Sequence, residues 1–430
     1  MFPGINDESL QEMTNTFCRW FARYGFDYDR FSEQRWSIHR ANPNVTLDQY
    51  RCRILHHFGQ IVSAKTIVYL DLKYWINLRK VLLGQEVESD YVELYSLLTK
   101  AVESGAVVCP LSFWIFEELL KQTDFESRKT TARLIDLLSD GVAFMSHGEI
   151  VSQEILHFVR KVSPQYADFK HWPIHECIWT RTMSFLGDRI PAWPGTGIPE
   201  SDQLLVQKNF EDFNFFVPLE ELINNIEVVP PDLLYVGYDV DDINRRKQQV
   251  RLEHRSFKSL FLAELMHTIK ENEDHWYETM AYLHFLETGT QESINIDALP
   301  EPTKRAARNL IWFAFKKNKI TNELPSYHIP AGLYAAACWD TTRQLSKNDV
   351  LDFHHAQLAV PYCDVFLTET SLRSFACSGH LRFNEIYDTA IIAAPGEAVA
   401  YLRVKLQKDH VRSARIAQEL FGSDTYARST

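Results

Sequence analysis

The stretch that decides the fold is DVLDFHHAQLAVPYCDVFLTE, which runs from Asp349 to Glu369. Its first half is a helix-like run, and VFLT is a short apolar run of the kind that forms a buried strand in a parallel sheet. Acidic residues stand at both ends of these apolar elements. The stretch therefore predicts a helix followed by a buried strand, with carboxylates where the elements begin and end.

Similar β-favouring runs occur elsewhere in the chain, and helical segments separate them. They are KTIVYLD (65–71), AVVCP (106–110), VAFMS (142–146) and YDTAIIAA (387–394). Strands that alternate with helices indicate a parallel sheet covered by helices. We therefore predict an α/β fold in which these runs and VFLT form the parallel sheet.

The strand pattern is interrupted, which suggests several regions in this chain of 430 residues. Residues 1–64 have a helical pattern, and 65–150 contain the first part of the α/β core. Residues 151–324 have a mostly helical pattern, with a long loop over 188–200 and a short strand or turn expected within 228–242. They are far longer than an ordinary connection, so we interpret them as a helical insertion. The core resumes over 325–406, and 407–430 are expected to form a C-terminal helix and tail.

The composition and the net charge exclude several kinds of protein. The net charge of −12 argues against wholesale coating of nucleic acid, but it is compatible with a nuclease whose own site is acidic. Seven cysteines without a C-x-x-C pair argue against structural zinc and favour a reducing, cytoplasmic compartment. The chain has no run of 18 apolar residues and no signal-peptide pattern at its start, so we expect no membrane partner.

Four acidic residues from distant segments are expected at one edge of the sheet. Asp71 and Glu369 each follow a predicted strand, and the carboxyl ends of parallel strands share an edge. Asp352 lies near the start of the helix that enters VFLT, and Glu118 lies on the helix after AVVCP. Glu117 is adjacent to Glu118 on a helix that is apolar nearly all round, so the helical period does not choose between them.

Two simpler interpretations stand beside this one. Asp349 and Asp352 could be the N-cap and N3 residues of their helix, and Asp71 could be an N-cap. Asp364 begins the VFLT strand and is separated from Glu369 by roughly 15 Å at the usual strand rise. We therefore place it outside the cluster and expect it to have a structural role, capping the loop after Pro361. Carboxylates held close together repel, and a hard divalent cation such as Mg²⁺ or Mn²⁺ would join them better than zinc.

Three segments resemble the PIN-domain nucleases, a superfamily of metal-dependent ribonucleases. They are VYLDLKYWINL, PLSFWIFEELLK and NDVLDFHHAQLAVPYCDVFLTE, and the resemblance covers about 65–150 and 325–405. It implies a PIN-like parallel sheet flanked by helices. The helical insertion departs from the compact members of that family.

The resemblance also implies which residues do the chemistry. The four family acids would fall on Asp71, Glu118, Asp352 and Glu369, and the Glu–Leu pairing of the family favours Glu118 over Glu117. Asp71, Asp352 and Glu369 would bind Mg²⁺ or Mn²⁺ directly, and Glu118 would complete the cluster or orient a water. The family usually has aspartate at the last position, so Glu369 is a departure in length.

We therefore expect a metal-dependent endoribonuclease, with RNA as the preferred substrate and single-stranded DNA as a second one. The alternatives are a non-catalytic binding or regulatory protein on a degenerate PIN-like core, and a phosphatase-like or flap-nuclease-like hydrolase. The helical insertion could bind a protein partner, and the sequence does not determine the oligomeric state. Basic stretches at 244–258 and 304–319 could contact RNA phosphates or could be solvated helix faces. One of His354 and His355, which follow Asp352 by two and three positions, could face the site, but a packed or surface histidine is the expected arrangement.

Overall fold

The computed structural model describes residues 7–163, 172–183, 199–224, 240–288, 300–320, 322–408 and 414–422. Of the loop expected over 188–200, the strand or turn expected within 228–242 and the C-terminal tail, residues 188–198, 228–239 and 423–430 lie outside the described residues. Within the described ranges, no helix has the length and apolar character needed to cross a membrane.

A parallel sheet of four strands lies at the centre of the α/β part of the described chain. Its strands are β1 (Thr66–Leu70), β2 (Val107–Val108), β5 (Val365–Leu367) and β6 (Ala390–Ile392), in the order β2-β1-β5-β6. All residues of β1 and β5 are buried, which explains why both strands are continuous apolar runs. The predicted parallel sheet flanked by helices is thus present, and its two inner strands are the runs before Asp71 and Glu369.

The helices around this sheet come from both halves of the chain. From the first half they are α4 (Leu72–Leu82), α5 (Ser89–Glu103), α6 (Phe113–Leu120) and α7 (Phe125–Ser139); from the second half they are α16 (Pro325–Trp339), α17 (Lys347–Tyr362), α18 (Thr370–Ala376), α19 (Phe383–Ile386) and α20 (Pro395–Lys408). Trp75 and Leu78 of α4 and Phe353 of α17 are buried in the same hydrophobic core as the sheet.

One predicted member of the parallel sheet is placed differently. Strand β3 (Val142–Phe144) pairs antiparallel with β4 (Trp179–Arg181), which the sequence interpretation did not identify. A single parallel bridge joins Ala143 of β3 to Leu111, beyond the end of β2. The ring of Trp179 lies against that of Phe144, with centroids 4.6 Å apart, so a strand from the predicted helical insertion covers β3.

The remaining helices form the N-terminal region and the segment between the two halves of the core. They are α1 (Asp7–Arg23), α2 (Tyr28–Ala41), α3 (Leu47–Ser63), α8 (His147–Val162), α9 (Ile174–Cys177), α10 (Glu200–Asn214), α11 (Leu219–Asn224), α12 (Val240–Glu253), α13 (Phe257–Glu271), α14 (Glu273–Thr288), α15 (Glu301–Lys316) and α21 (Ile416–Phe421). Phe21 of α1 stacks on Phe216 with centroids 3.9 Å apart, within the main core. Helices α8, α13, α14 and α15 bury a second core that includes Ile155, Leu265 and Leu283.

Candidate active site

Asp71 lies at the carboxyl end of β1, beside the end of β5. Its backbone N–H donates to the carbonyl of Leu367 at 3.0 Å, and the Thr368 hydroxyl donates to its carboxylate at 3.0 Å. Asp71 occupies the N-cap position of α4, but its side chain makes no capping hydrogen bond. Helix capping therefore does not explain why this side chain, only 5% exposed, is acidic.

Asp352 lies in α17 beyond the residues that cap the helix. Ser346 is the N-cap and Asp349 is the N3 residue of a capping box, since the Asp349 carboxylate accepts the Ser346 N–H at 2.7 Å. Asp349 also pairs with Arg343. The interpretation of Asp349 as N-cap and Asp352 as N3 is therefore wrong by three residues, and Asp352 has no capping role.

The carboxylates of this edge act on one another electrostatically. Burial, with the charges of Asp71 and Glu369, raises the pKa of Asp352 to about 8 against the opposing effect of His355. Burial also raises the pKa of Asp71, and Glu118 and Glu369 add to that increase against the effects of His355 and the Thr368 hydrogen bond. Like charges raise each other's pKa only at short range, so these acids from distant segments share one region.

The two adjacent glutamates of α6 point to different partners. Glu118 lies with its Oε2 3.2 Å from Nε2 of His355, and its charge acts on Asp71. Glu117 is 2% exposed, lies 3.2 Å from the ammonium of Lys121, and has a pKa raised mainly by burial. Of the two candidates for the second acid, Glu118 is therefore the one whose carboxylate reaches His355.

Glu369 is the solvent-exposed member of the pair of acids that follow β1 and β5. It is exposed, and it occupies the N-cap position of α18 without a side-chain capping hydrogen bond. Its charge raises the pKa of both Asp71 and Asp352. Glu369 is thus close enough to interact with both buried acids while its own side chain is in contact with solvent.

Asp364 lies at the other end of β5. Its carboxylate accepts the backbone N–H of Ile67 at 2.8 Å and contacts the ammonium of Lys405 at 2.9 Å. It joins the starts of β5 and β1, instead of capping the loop after Pro361, which lies inside α17. This aspartate therefore has a structural environment, apart from the four acids at the opposite edge.

His355 connects three of the elements that build the site, and it is the one of the two adjacent histidines that contacts the acids. Its Nδ1 lies 2.7 Å from the Tyr69 hydroxyl of β1, which lies 2.6 Å from the Ser112 hydroxyl at the N-cap of α6. When the neutral ring carries its proton on Nε2, Nε2–H donates to Glu118 and Tyr69 O–H donates to Nδ1. His355 follows Asp352 by three residues and therefore lies on the same side of the helix. This spacing is the sequence feature that favours His355 over His354 as the histidine near the acids.

The charge state of His355 reflects this arrangement. Burial lowers the pKa of His355, but the hydrogen bond with Glu118 and the charges of Asp71 and Asp352 outweigh burial and raise it overall. The neighbouring His354 behaves differently: it stacks on Trp114 with centroids 4.1 Å apart, and burial lowers its pKa to about 3. His354 is therefore a packed, neutral ring, as expected, whereas His355 belongs to the acidic cluster.

The donor chemistry of the cluster can be compared with that of a metal site. Asp71, Asp352 and Glu369 offer only carboxylate oxygens, which suit Mg²⁺ or Mn²⁺. Their mutual repulsion is the kind that a bound cation relieves. Within the described residues, however, no three or more His, Cys, Asp or Glu side chains are grouped as a ready-made metal site.

Comparison of the chain with protein-family models, with curated proteins and with solved structures finds no match.

Proposed function

We propose that the chain is a Mg²⁺- or Mn²⁺-dependent nuclease with a PIN-like core, and that it hydrolyses phosphodiester bonds of RNA. The observation that carries the proposal is the effect of the Asp71 charge on Asp352: the two acids are 281 positions apart in the sequence, and their pKa values are both raised at one sheet edge. Neither side chain has a capping role that would account for an acid there. Such perturbed pairs are typical of functional sites.

Each residue of the cluster has a role in this proposal. Asp71, Asp352 and Glu369 would hold the cation, which when bound acidifies water and stabilises the charge that develops on the phosphate. Glu118 orients the attacking water by accepting a hydrogen bond from it. His355 holds Glu118 in place, and Tyr69 and Ser112 hold His355, so the protein fixes the acceptor before the substrate arrives.

A cytoplasmic location is part of the same proposal. All seven cysteines are free thiols, and three of them are buried (Cys109, Cys338 and Cys363). Free thiols in this number suit a reducing compartment, where disulfides do not persist. RNA is abundant in that compartment and is therefore available as the substrate.

The direct test is cleavage of end-labelled, unstructured RNA and single-stranded DNA by the purified chain, with Mg²⁺, Mn²⁺ or EDTA. We expect internal cuts in RNA with either metal, weaker cutting of DNA, and no cutting in EDTA. A chain that leaves both polymers intact with both metals would contradict the proposal. Release of inorganic phosphate from monoester substrates, without internal cuts, would favour the phosphatase-like alternative.

We expect His355→Asn to slow cleavage more than His355→Gln. An asparagine amide can replace Nδ1 towards Tyr69 but cannot reach Glu118, whereas a glutamine amide can replace Nε2 and keep the contact with Glu118. Supporting residues of this kind typically change rates by about 10- to 100-fold. The measurement is the single-turnover rate at saturating RNA, together with the melting temperature.

The ranking of the two variants separates positioning from simple packing. If His355 only fills space, both variants should follow their losses of stability, and the shorter asparagine need not be the slower enzyme. His354→Asn serves as the neighbouring control, because His354 stacks on Trp114 and makes no contact with Glu118 in the described residues. A His355→Gln enzyme as slow as His355→Asn would contradict the proposed role.

Manganese should stabilise the folded chain, and this result together with the cleavage assay distinguishes the proposed function from the non-catalytic alternative. A ligand at 100 times its dissociation constant adds about 2.7 kcal/mol to the free energy of unfolding, so the melting temperature should rise by several degrees. Asp352→Asn should abolish the rise, and Asp364→Asn should keep it. A rise without RNA cleavage would favour a regulatory protein, the alternative that rests on Glu369 standing where the PIN-domain family usually has aspartate. An equal rise in all variants would exclude the proposed metal site.

A further inference from the structure

One side of α15 combines cations with an exposed aromatic ring. Arg305, Asn309, Phe313 and Lys317 follow one another at intervals of four residues, so they lie along the same side of the helix over about 18 Å. All four are exposed, and the Phe313 side chain is 51% exposed. The core-facing residues of this helix are Ile311 and Phe315, so burial in the core does not account for Phe313.

The ring of Phe313 packs against Trp312, which is itself hydrogen-bonded to α13. Its neighbour Trp312 donates its indole N–H to the carbonyl of Leu262 at 2.7 Å, and the two rings meet edge to face with centroids 5.1 Å apart. The ammonium of Lys316 lies 4.5 Å from the centroid of Trp312 and 5.8 Å from that of Phe313. A cation is therefore placed directly beside an exposed aromatic surface.

The first basic stretch, 244–258, contacts the end of α15 through Lys258. Lys258, at the start of α13, donates to the Asn318 side chain at 3.4 Å, just beyond the end of α15. Asn318 ends the helix in the left-handed conformation, with φ of 51°, which asparagine adopts more readily than most residues. The stretches 244–258 and 304–319 thus meet at Lys258, although 60 residues separate it from Asn318.

Most cations of the first basic stretch have internal partners instead. The Lys247 side chain is buried and donates to the carbonyl of Arg343 at 2.6 Å, and Arg246 pairs with Asp242 at 2.9 Å. The Arg251 guanidinium lies 3.4 Å from the centroid of the Trp339 ring. Contacts within the protein therefore account for these three cations. From the first basic stretch, it is Lys258 that contacts the end of α15.

The second basic stretch, 304–319, carries an excess of positive charge, most of it at the surface. Six cations and one carboxylate lie between Glu301 and Ile320, in a chain whose net charge is −12. Arg308 is taken up by ion pairs with Glu273 and Glu301. Lys304 is half-buried. We define the α15 face by the exposed ring and the exposed cations of the two basic stretches near it: Arg305, Phe313, Lys316, Lys317, Lys319 and Lys258.

We infer that the α15 face binds single-stranded nucleic acid, with its phosphates against the cations and a base stacked on Phe313. A line of cations matches the charge of a sugar–phosphate backbone, and an exposed ring between them matches an unpaired base. The inference rests on the proposed nuclease function, because the bound strand would be its substrate. It assigns the capture of that substrate to a helix of the region between the two halves of the core.

The test is fluorescence anisotropy of a labelled oligouridylate in EDTA, so that binding is measured without cleavage. We expect Phe313→Ala to weaken binding about tenfold, because one stacked base is lost. We expect the double variant Lys317→Glu/Lys319→Glu to weaken it at least as much and to make the dependence of log Kd on log salt shallower by about 1.4. Lys100→Glu and Phe125→Ala, which alter an exposed lysine and an exposed phenylalanine of other helices, should bind as the unaltered chain does.

Several results would overturn the inference. They are the absence of oligonucleotide binding, unchanged binding in the α15 variants, equal losses in the two controls, and binding of anionic lipid vesicles in place of the oligonucleotide. The two proposals can also fail separately. Loss of binding in the variants of a chain that never cuts RNA would support the α15 face and contradict the nuclease, whereas metal-dependent cutting with unchanged binding would do the reverse.

Discussion

Asp71→Asn should reduce RNA cleavage by at least about a thousandfold and leave the chain folded. Removing a single well-placed electrostatic group in an enzyme typically reduces the rate by about 10²- to 10³-fold, and Asp71 would in addition be a direct metal ligand. The asparagine side chain has the same shape, and its carbonyl oxygen can still accept the hydrogen bond from Thr368. Because the pKa of Asp71 is raised by burial and by neighbouring acids, the neutral side chain should not destabilise the fold.

The measurement is the single-turnover rate at saturating Mn²⁺, with the melting temperature of the same preparation. Asp364→Asn is the matched control, since it makes the same chemical change at the opposite end of the paired strands β1 and β5. It weakens the contacts with Lys405 and Ile67, so it should cost about 1 kcal/mol of stability and leave cleavage intact. Full activity of Asp71→Asn, or equal losses in both variants, would show that the cluster is not catalytic.

Asp352→Asn should have opposite effects on activity and on stability. It removes a proposed metal ligand, so cleavage should fall as far as in Asp71→Asn. In the absence of metal it should raise the free energy of unfolding at alkaline pH by about 2 kcal/mol. The pKa shift alone would correspond to more, at about 1.4 kcal/mol per unit, but Asp352 is partly exposed and water screens its charge.

The direction of this pH dependence follows from the pKa. In the folded chain the pKa of Asp352 is about 8, well above its usual value of 3.8, so the folded state holds the proton more tightly than the unfolded state. The folded state is therefore penalised progressively as the pH rises from about 4 to about 8, and asparagine removes the penalty. Denaturant unfolding in EDTA at pH 4.5 and pH 8.5 should show a benefit of the substitution that grows with pH. Buried acids such as Glu154, whose pKa is raised to about 7, are the same in both proteins and cancel in the difference.

Asp349→Asn is the control for this experiment, on the same helix and with the same chemical change. Burial tends to raise the pKa of Asp349, but its hydrogen bonds with Ser346 and its pairing with Arg343 outweigh burial and lower the pKa. Its charge therefore stabilises the fold at alkaline pH, and the stabilisation is lost as the pH falls through the acid range. Asp349→Asn should accordingly be less stable than the unaltered chain at pH 8.5. If Asp352→Asn is destabilised there as well, the electrostatic account of the cluster is wrong.

Local sequence patterns were sufficient for the elements that carry Asp71 and Glu369. A strand buried on both faces must be a short apolar run, and it must end where a polar residue leaves the sheet. The runs before Asp71 and Glu369 therefore predicted both the strands and the edge at which their acids lie. The helix of Asp352 was equally predictable, because the polar residues at its start and the spacing of its apolar residues are local features of the sequence. Whether the core is PIN-like stays a prediction.

The sequence by itself therefore determined which residues are strand and helix around the acids, and that parallel strands would bring Asp71 and Glu369 to one edge. Only the tertiary structure decided that β3 pairs with β4, that Glu118 and not Glu117 meets His355, and that Lys258 joins α15. The physical reason is the range of the forces involved. Backbone preference and hydrophobic period act between near neighbours in the chain, whereas strand partners and side-chain contacts depend on packing between residues that are tens to hundreds of positions apart.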